Sequence, residues 1–191
     1  MAQLTLARAQ ELLHKHVTEQ HLLTHALAVS AAMGAMAGHF GADAEHWRAV
    51  GYLHDVDFEK FPEEHCKHVR ELLSGEDVDE ADILAIISHG YGICTQEAEP
   101  TTPLMKSLFA VDELTGIIMA NALMRPTGII DMEVKSAKKK FKDKGFAAKC
   151  DRALIQSGCD ALGMDLGDVI GLVIEGMQQE AVGLCLTGSP A

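Results

Sequence analysis

Aromatic side chains are scarce in this 191-residue chain, which has one Trp, two Tyr and six Phe. Ala, Leu, Ile and Met dominate the apolar fraction, and no segment alternates as a strand does, so packed helices are expected rather than a sheet. Cysteine is limited to Cys66, Cys94, Cys150, Cys159 and Cys185. The number is odd and no CxxC pair occurs, which argues against a disulfide framework and a cysteine metal cluster. Reduced thiols fit a cytoplasmic protein. No apolar run approaches the ~18 residues of a membrane span. The start, MAQLTLARAQELLHKH, lacks the basic leader, apolar core and small-residue cleavage site of a signal peptide. GxSxG, P-loop and dinucleotide fingerprints are missing as well.

Positive charge is also in short supply. Sixteen Lys and Arg face 28 Asp and Glu, for a net charge of −12. That balance disfavours a nucleic-acid polymer or an acidic membrane as partner. Residues 135–152 are the exception, with eight bases against Asp143 and Asp151, a local +6 that leaves −18 for the rest.

What the chain does have is helical periodicity. Helices are expected over 4–16, 18–39, 43–54, 63–73, 80–88, 102–123, 147–162 and 166–182. Thr18, Asp43, Asp79, Thr102 and Asp165 stand at their starts as N-caps. The expectation is one all-α domain over 1–182 with about seven or eight helices, followed by a fraying tail over 183–191. Nothing in the sequence specifies an oligomeric state.

Several inward positions carry chemistry. His54 and Asp55 are adjacent at a helix end, and an imidazole nitrogen beside a carboxylate oxygen can bind one divalent cation. His25 lies in the stripe Leu22, Val29, Met33 and Met36. It reads as a ligand or as a hydrogen-bonded core histidine. His65 is expected on an apolar helical stripe with Cys66 and Val69. His89 closes a helix, where a favourable helix dipole is its plainer explanation. Asp112 is the single acid on the apolar face of Met105, Leu108, Phe109, Thr115 and Met119. A buried carboxylate needs a metal, an arginine or a donated N–H. Glu59 is expected to face solvent. Asp57 either faces solvent or reaches a metal-held water.

His25, His54-Asp55 and Asp112 resemble the H…HD…D signature of the HD superfamily of metal-dependent phosphohydrolases. The resemblance covers about 18–116, and His65 and His89 are similar to the two histidines that many members add for a second metal. It implies one or two divalent transition-metal ions (Mn, Fe, Co, Ni or Zn) with Asp55 bridging, and hydrolysis of a nucleotide or other small phosphorylated metabolite by metal-activated water. Asp55 and Asp57 are the catalytic candidates. Lys106, Arg125, Lys135 and Lys139 are candidates for holding substrate phosphate, although a solvated basic face is the other reading of the lysine-rich run. Two alternatives accompany the resemblance: a di-iron HD-type oxygenase, and a non-catalytic domain that senses a metal or ligand.

Overall fold

The computed structural model describes residues 3–188. Nine α-helices follow one another among them: α1 (Leu6–His14), α2 (Gln20–Phe40), α3 (Ala44–Leu53), α4 (Val69–Leu72), α5 (Glu80–Ser88), α6 (Pro103–Leu123), α7 (Val134–Lys142), α8 (Arg152–Leu162) and α9 (Leu166–Gln179). A 3-10 turn at Pro62–Glu64 precedes α4. The one β pairing among the described residues is an isolated bridge between Tyr91 and Thr95. No helix among them is long and apolar enough to cross a membrane.

The two 21-residue helices, α2 and α6, form the centre. α2 packs on α3, α6 and α9, while α6 packs on α5, α7, α8 and α9. Their shared interior is one hydrophobic cluster that includes Met33, Met36, Leu53, Leu108, Leu114, Ile117 and Ile118. Gly176 lets α9 approach α2 closely, because a Cβ there would stand 2.3 Å from the Ala31 carbonyl oxygen.

The starts of most helices follow from side-chain caps. Asp43 accepts from the His46 N–H, Thr102 from Met105 and Asp165 from Gly167, each satisfying a donor that the first turn leaves open. Pro103 occupies the first turn of α6, as expected.

Five expectations need correction. Asp79 makes no side-chain cap on α5, and Thr18 does not cap α2 with its side chain. Instead the Glu59 carboxylate, at the surface as expected, accepts from Thr18 N–H, Thr18 Oγ1–H and Glu19 N–H. The helix expected over 63–73 is broken, because His65 is extended (φ −50°, ψ 141°) and Cys66 lies in the left-handed region at φ 68°. The lysine run forms a helix of its own, α7, which packs on α6 and α9. Residues 183–188 do not fray: Leu184 and Leu186 are buried, and the Leu186 carbonyl accepts from the Ile129 N–H at 2.8 Å. Two apolar side chains in a polar tail are enough to dock it. Residues 189–191 lie outside the described residues.

Between α7 and α8 the chain is held by Arg152. Its guanidinium donates to the carbonyls of Phe141, Asp143, Phe146, Ala147 and Cys150.

Candidate metal centre

The α2, α3, α5 and α6 helices and the irregular segment before α4 deliver six polar side chains to one point. His25 comes from the second turn of α2, and His54 and Asp55 from the end of α3. His89 comes from the end of α5, Asp112 from α6, and His65 from the broken stretch. The sequence expected all six.

Their terminal atoms fall into two groups around Asp55. On one side His25 Nε2 lies 3.2 Å from His54 Nε2, 2.9 Å from Asp112 Oδ1 and 3.6 Å from Asp55 Oδ2. His54 Nε2 lies 3.3 Å from the same Asp55 oxygen and 3.4 Å from Asp112 Oδ1. On the other side His65 Nε2 and His89 Nε2 are 2.9 Å apart, and they stand 3.3 and 3.5 Å from Asp55 Oδ1. Each oxygen of one carboxylate therefore faces a different histidine pair.

These spacings fit cations. Nitrogen and oxygen ligands ~2.1 Å from one ion stand roughly 3.0–3.4 Å apart in octahedral or tetrahedral coordination. The ring tautomers fit too. His54 Nδ1 donates to the Gly51 carbonyl at 2.8 Å and His89 Nδ1 to the Ile86 carbonyl at 2.5 Å. His65 Nδ1 donates to Asp57 Oδ1 at 2.9 Å. With Nδ1 committed to donation, each neutral ring turns its lone pair at Nε2 toward the centre. Lone pairs facing one another call for protons or a cation between them.

The charges compete in the same sense. Burial opposes ionisation of Asp55, yet His54 and hydrogen bonds from His54, His65 and His89 hold its carboxyl well below the usual range. Asp112 is likewise depressed against burial, by His54 and His25. In return, and again against burial, Asp55 and Asp112 push the His54 imidazole up to about 9. Against burial, His65 is raised by hydrogen bonds to Asp55 and Asp57, and His89 by the Cys66 thiolate and then Asp55. Without a cation the acids keep protons on the rings.

The centre opens on a cavity of about 400 Å³. His25, Asp55, His65, His89 and Asp112 line its floor, while His54 lies fully buried beneath. Leu22, Phe58, Ile93, Phe109 and Leu154 make the walls, joined by His21, Cys94, Cys150 and Glu113. Phe58 meets His65 edge-on with ring centroids 5.1 Å apart. No lysine or arginine lines this cavity among the described residues.

The other candidates lie elsewhere. Asp57 is fully buried behind His65, with its second oxygen accepting from the His68 N–H at 3.2 Å. It orients His65 and does not line the cavity, which corrects its reading as a catalytic carboxylate. Lys106, Arg125, Lys135 and Lys139 are not brought to the cavity either. Arg125 is tied to Asp131 and the Gly128 carbonyl, and Lys135 and Lys139 are exposed on α7, which packs beside Asn121 at the far end of α6. Lys144 and Lys149 line a second, shallower cleft of about 640 Å³ that shares Cys150 with the first.

Three residues were missed. Glu113 follows Asp112 and faces the cavity, its carboxyl raised by burial and by the Asp112 charge. His21 precedes His25 by one helical turn, an i, i+4 signal that was legible. Cys66 was read as apolar, but its Sγ lies 3.8 Å from His89 Nε2. Burial opposes its ionisation, and His89 and His65 outweigh burial to bring the thiol down to about 6. Gly90 makes room for it, since a Cβ there would stand 2.6 Å from Cys66 Sγ and 2.5 Å from Cys94 Sγ.

Residues 22–116 match the family model of the HD domain. The chain belongs to the HD-domain family. HD domains are commonly metal-dependent phosphohydrolases. The matched residues run from the α2 turn bearing His25 to the α6 turn just past Asp112, so they contain the whole cluster. No curated protein and no solved structure matched the chain in the same comparisons.

Proposed function

We propose that this HD-domain protein is a divalent-metal-dependent phosphohydrolase acting on a small phosphorylated metabolite. The observation that carries the reading is the division of Asp55, whose two oxygens face separate histidine pairs. His25, His54, Asp55 and Asp112 would hold one ion, and His65, His89 and the other Asp55 oxygen a second. Bound there, such ions polarise a phosphate ester and activate water. The protein's own part is to fix three imidazoles through Gly51, Ile86 and Asp57, and to keep bulk water back with Phe58 and Phe109. Glu113 can carry a proton at its carboxyl beside the reacting group. A non-reacting anionic part of the substrate would reach Lys144 and Lys149 in the adjoining cleft, in place of the lysines on α7.

A screen of phosphorylated metabolites with added Mn, Fe, Co, Ni or Zn tests the reading. Metal-stimulated phosphate release, abolished in Asp55→Ala, is the expected result. With a confirmed substrate, Lys144→Gln and Lys149→Gln raise KM more than they lower kcat, because they grip the substrate equally in ground and transition states. No phosphate release from any compound with any metal would refute the assignment. One observation favours a second reading: the cavity walls are apolar and offer no cation. That suits a di-iron oxygenase acting on a less charged substrate, for which oxygen uptake and a mixed-valent iron spectrum are the discriminating measurements.

A further inference from the structure

We propose that Cys66 is a ligand of the second cation, completing a set of two imidazoles, one carboxylate oxygen and one thiolate. The inference rests on the two-cation reading and deepens it by naming the class of metal. The three nitrogen and oxygen atoms on that side of Asp55 leave a four-coordinate ion one ligand short. A further donor stands beside them, Cys66 Sγ, 3.8 Å from His89 Nε2. The terminal atoms of His65, Cys66 and His89 all lie within 4.8 Å of one another. Ligands ~2.3 Å (sulfur) and ~2.1 Å (nitrogen) from one ion stand roughly 3.6–3.8 Å apart at tetrahedral to trigonal angles. The observed separation falls at the upper end of that span. His65 Nε2 to His89 Nε2 at 2.9 Å, and Asp55 Oδ1 to each at 3.3 and 3.5 Å, are the other edges of the same figure.

The backbone is bent toward this arrangement. Cys66 adopts φ 68°, a conformation that a residue with a Cβ enters at a cost of ~1–3 kcal/mol. The bend breaks the helix expected here and sends consecutive side chains, His65 and Cys66, to the same point. A buried cysteine that only filled space would need neither the bend nor a histidine nitrogen beside its sulfur. His89 Nδ1 is already committed to the Ile86 carbonyl, so the nitrogen facing the sulfur is the one with a lone pair for metal.

Thiolate changes the selectivity. Imidazole with carboxylate alone accepts Mn or Fe, whereas a sulfur ligand favours softer, tetrahedral ions such as Zn and Co. On binding, the thiol gives its proton to solvent. The second position is therefore the zinc-selective one, and the first, with its two carboxylates, the less discriminating.

Cobalt(II) added to metal-free protein tests this without reference to catalysis. Weak visible bands report any bound cobalt, and an intense near-ultraviolet charge-transfer band reports a thiolate ligand. The expected result is that band in the wild type, lost in Cys66→Ser and kept in Cys94→Ser and Cys150→Ser. Bound cobalt without the band, or a band that follows Cys94 or Cys150, would overturn the proposal and leave the two-cation reading standing. No bound cobalt at all would remove both. Should Cys66→Ser not fold, zinc-edge X-ray absorption of the wild type decides. One sulfur neighbour per two zinc ions at ~2.3 Å supports the assignment, and nitrogen and oxygen neighbours alone refute it.

Discussion

Replacing Asp57 by Asn changes one atom of a fully buried side chain and forces a choice. In the native protein Asp57 Oδ1 accepts from His65 Nδ1 and Oδ2 accepts from the His68 N–H. An asparagine has one acceptor for these two donors. If its oxygen keeps His65, its NH2 confronts the His68 N–H, and a buried donor is left unmet at a cost of about 1–3 kcal/mol. If its oxygen keeps His68, its NH2 donates to His65 Nδ1. The ring proton then moves to Nε2, the atom that must face the cation. The first outcome lowers the melting temperature by roughly 2–12 °C, at 2–4 °C per kcal/mol for a chain of this size. The second lowers affinity at the second site by about 10–100-fold, the usual loss when a ligand's orienting partner is removed. Calorimetric zinc titration of metal-free protein, with a thermal melt of the same sample, reads both. The first binding phase, which uses His25, His54 and Asp112, should be unchanged. Asp57→Asn with wild-type second-phase affinity and wild-type melting would refute the argument.

Asp55→Ala should lose both cations and all activity, whereas His25→Ala should lose one and retain the other. Metal analysis of the purified variants checks this, and equal content in either would contradict the shared carboxylate. Because Asp55 and Asp112 keep His54 protonated up to about 9, metal uptake near pH 7 should release protons and weaken as pH falls. Titration in buffers of different ionisation enthalpy measures the release, and identical heats would count against it. His46 bonds Asp82 at 2.8 Å and is raised above 6.5, chiefly by that bond. A raised histidine stabilises the fold fully below its unfolded pKa of ~6.5 and loses that contribution as pH rises through the folded value. Urea melts should show this decline in the wild type and not in His46→Gln. Leu186→Ala should cost about 2–5 kcal/mol, and an unchanged midpoint would mean that the tail is not docked.

Local periodicity made most of the helices and five of the six central residues legible. His25 and Asp112 stood in apolar stripes, His54-Asp55 at a helix end and His89 at another. A stripe reports which face turns inward, and that is enough when the ligand sits on a regular helix. His65 was legible by its resemblance to the family rather than by its stripe, because the left-handed turn at Cys66 defeats any periodic count. The turn also hid the sulfur. The place of Asp57 and the capping role of Glu59 were hidden for a different reason: their partners, His65, Thr18 and Glu19, are distant in sequence or lie across a break in structure. The lysine run marked a charged segment correctly and a position wrongly, since net charge says nothing of where α7 packs.

Arg152 spends its fork on five carbonyls of 141–150, which has a kinetic consequence for the cavity wall that Cys150 and Leu154 form. A strand of chain gathered on one cation cannot loosen residue by residue, because each carbonyl released leaves the guanidinium held by the rest. It opens as a unit or stays shut, so amide exchange across 143–150 should collapse to one shared rate. That rate caps how often the wall can admit or discharge a molecule too large for the resting mouth.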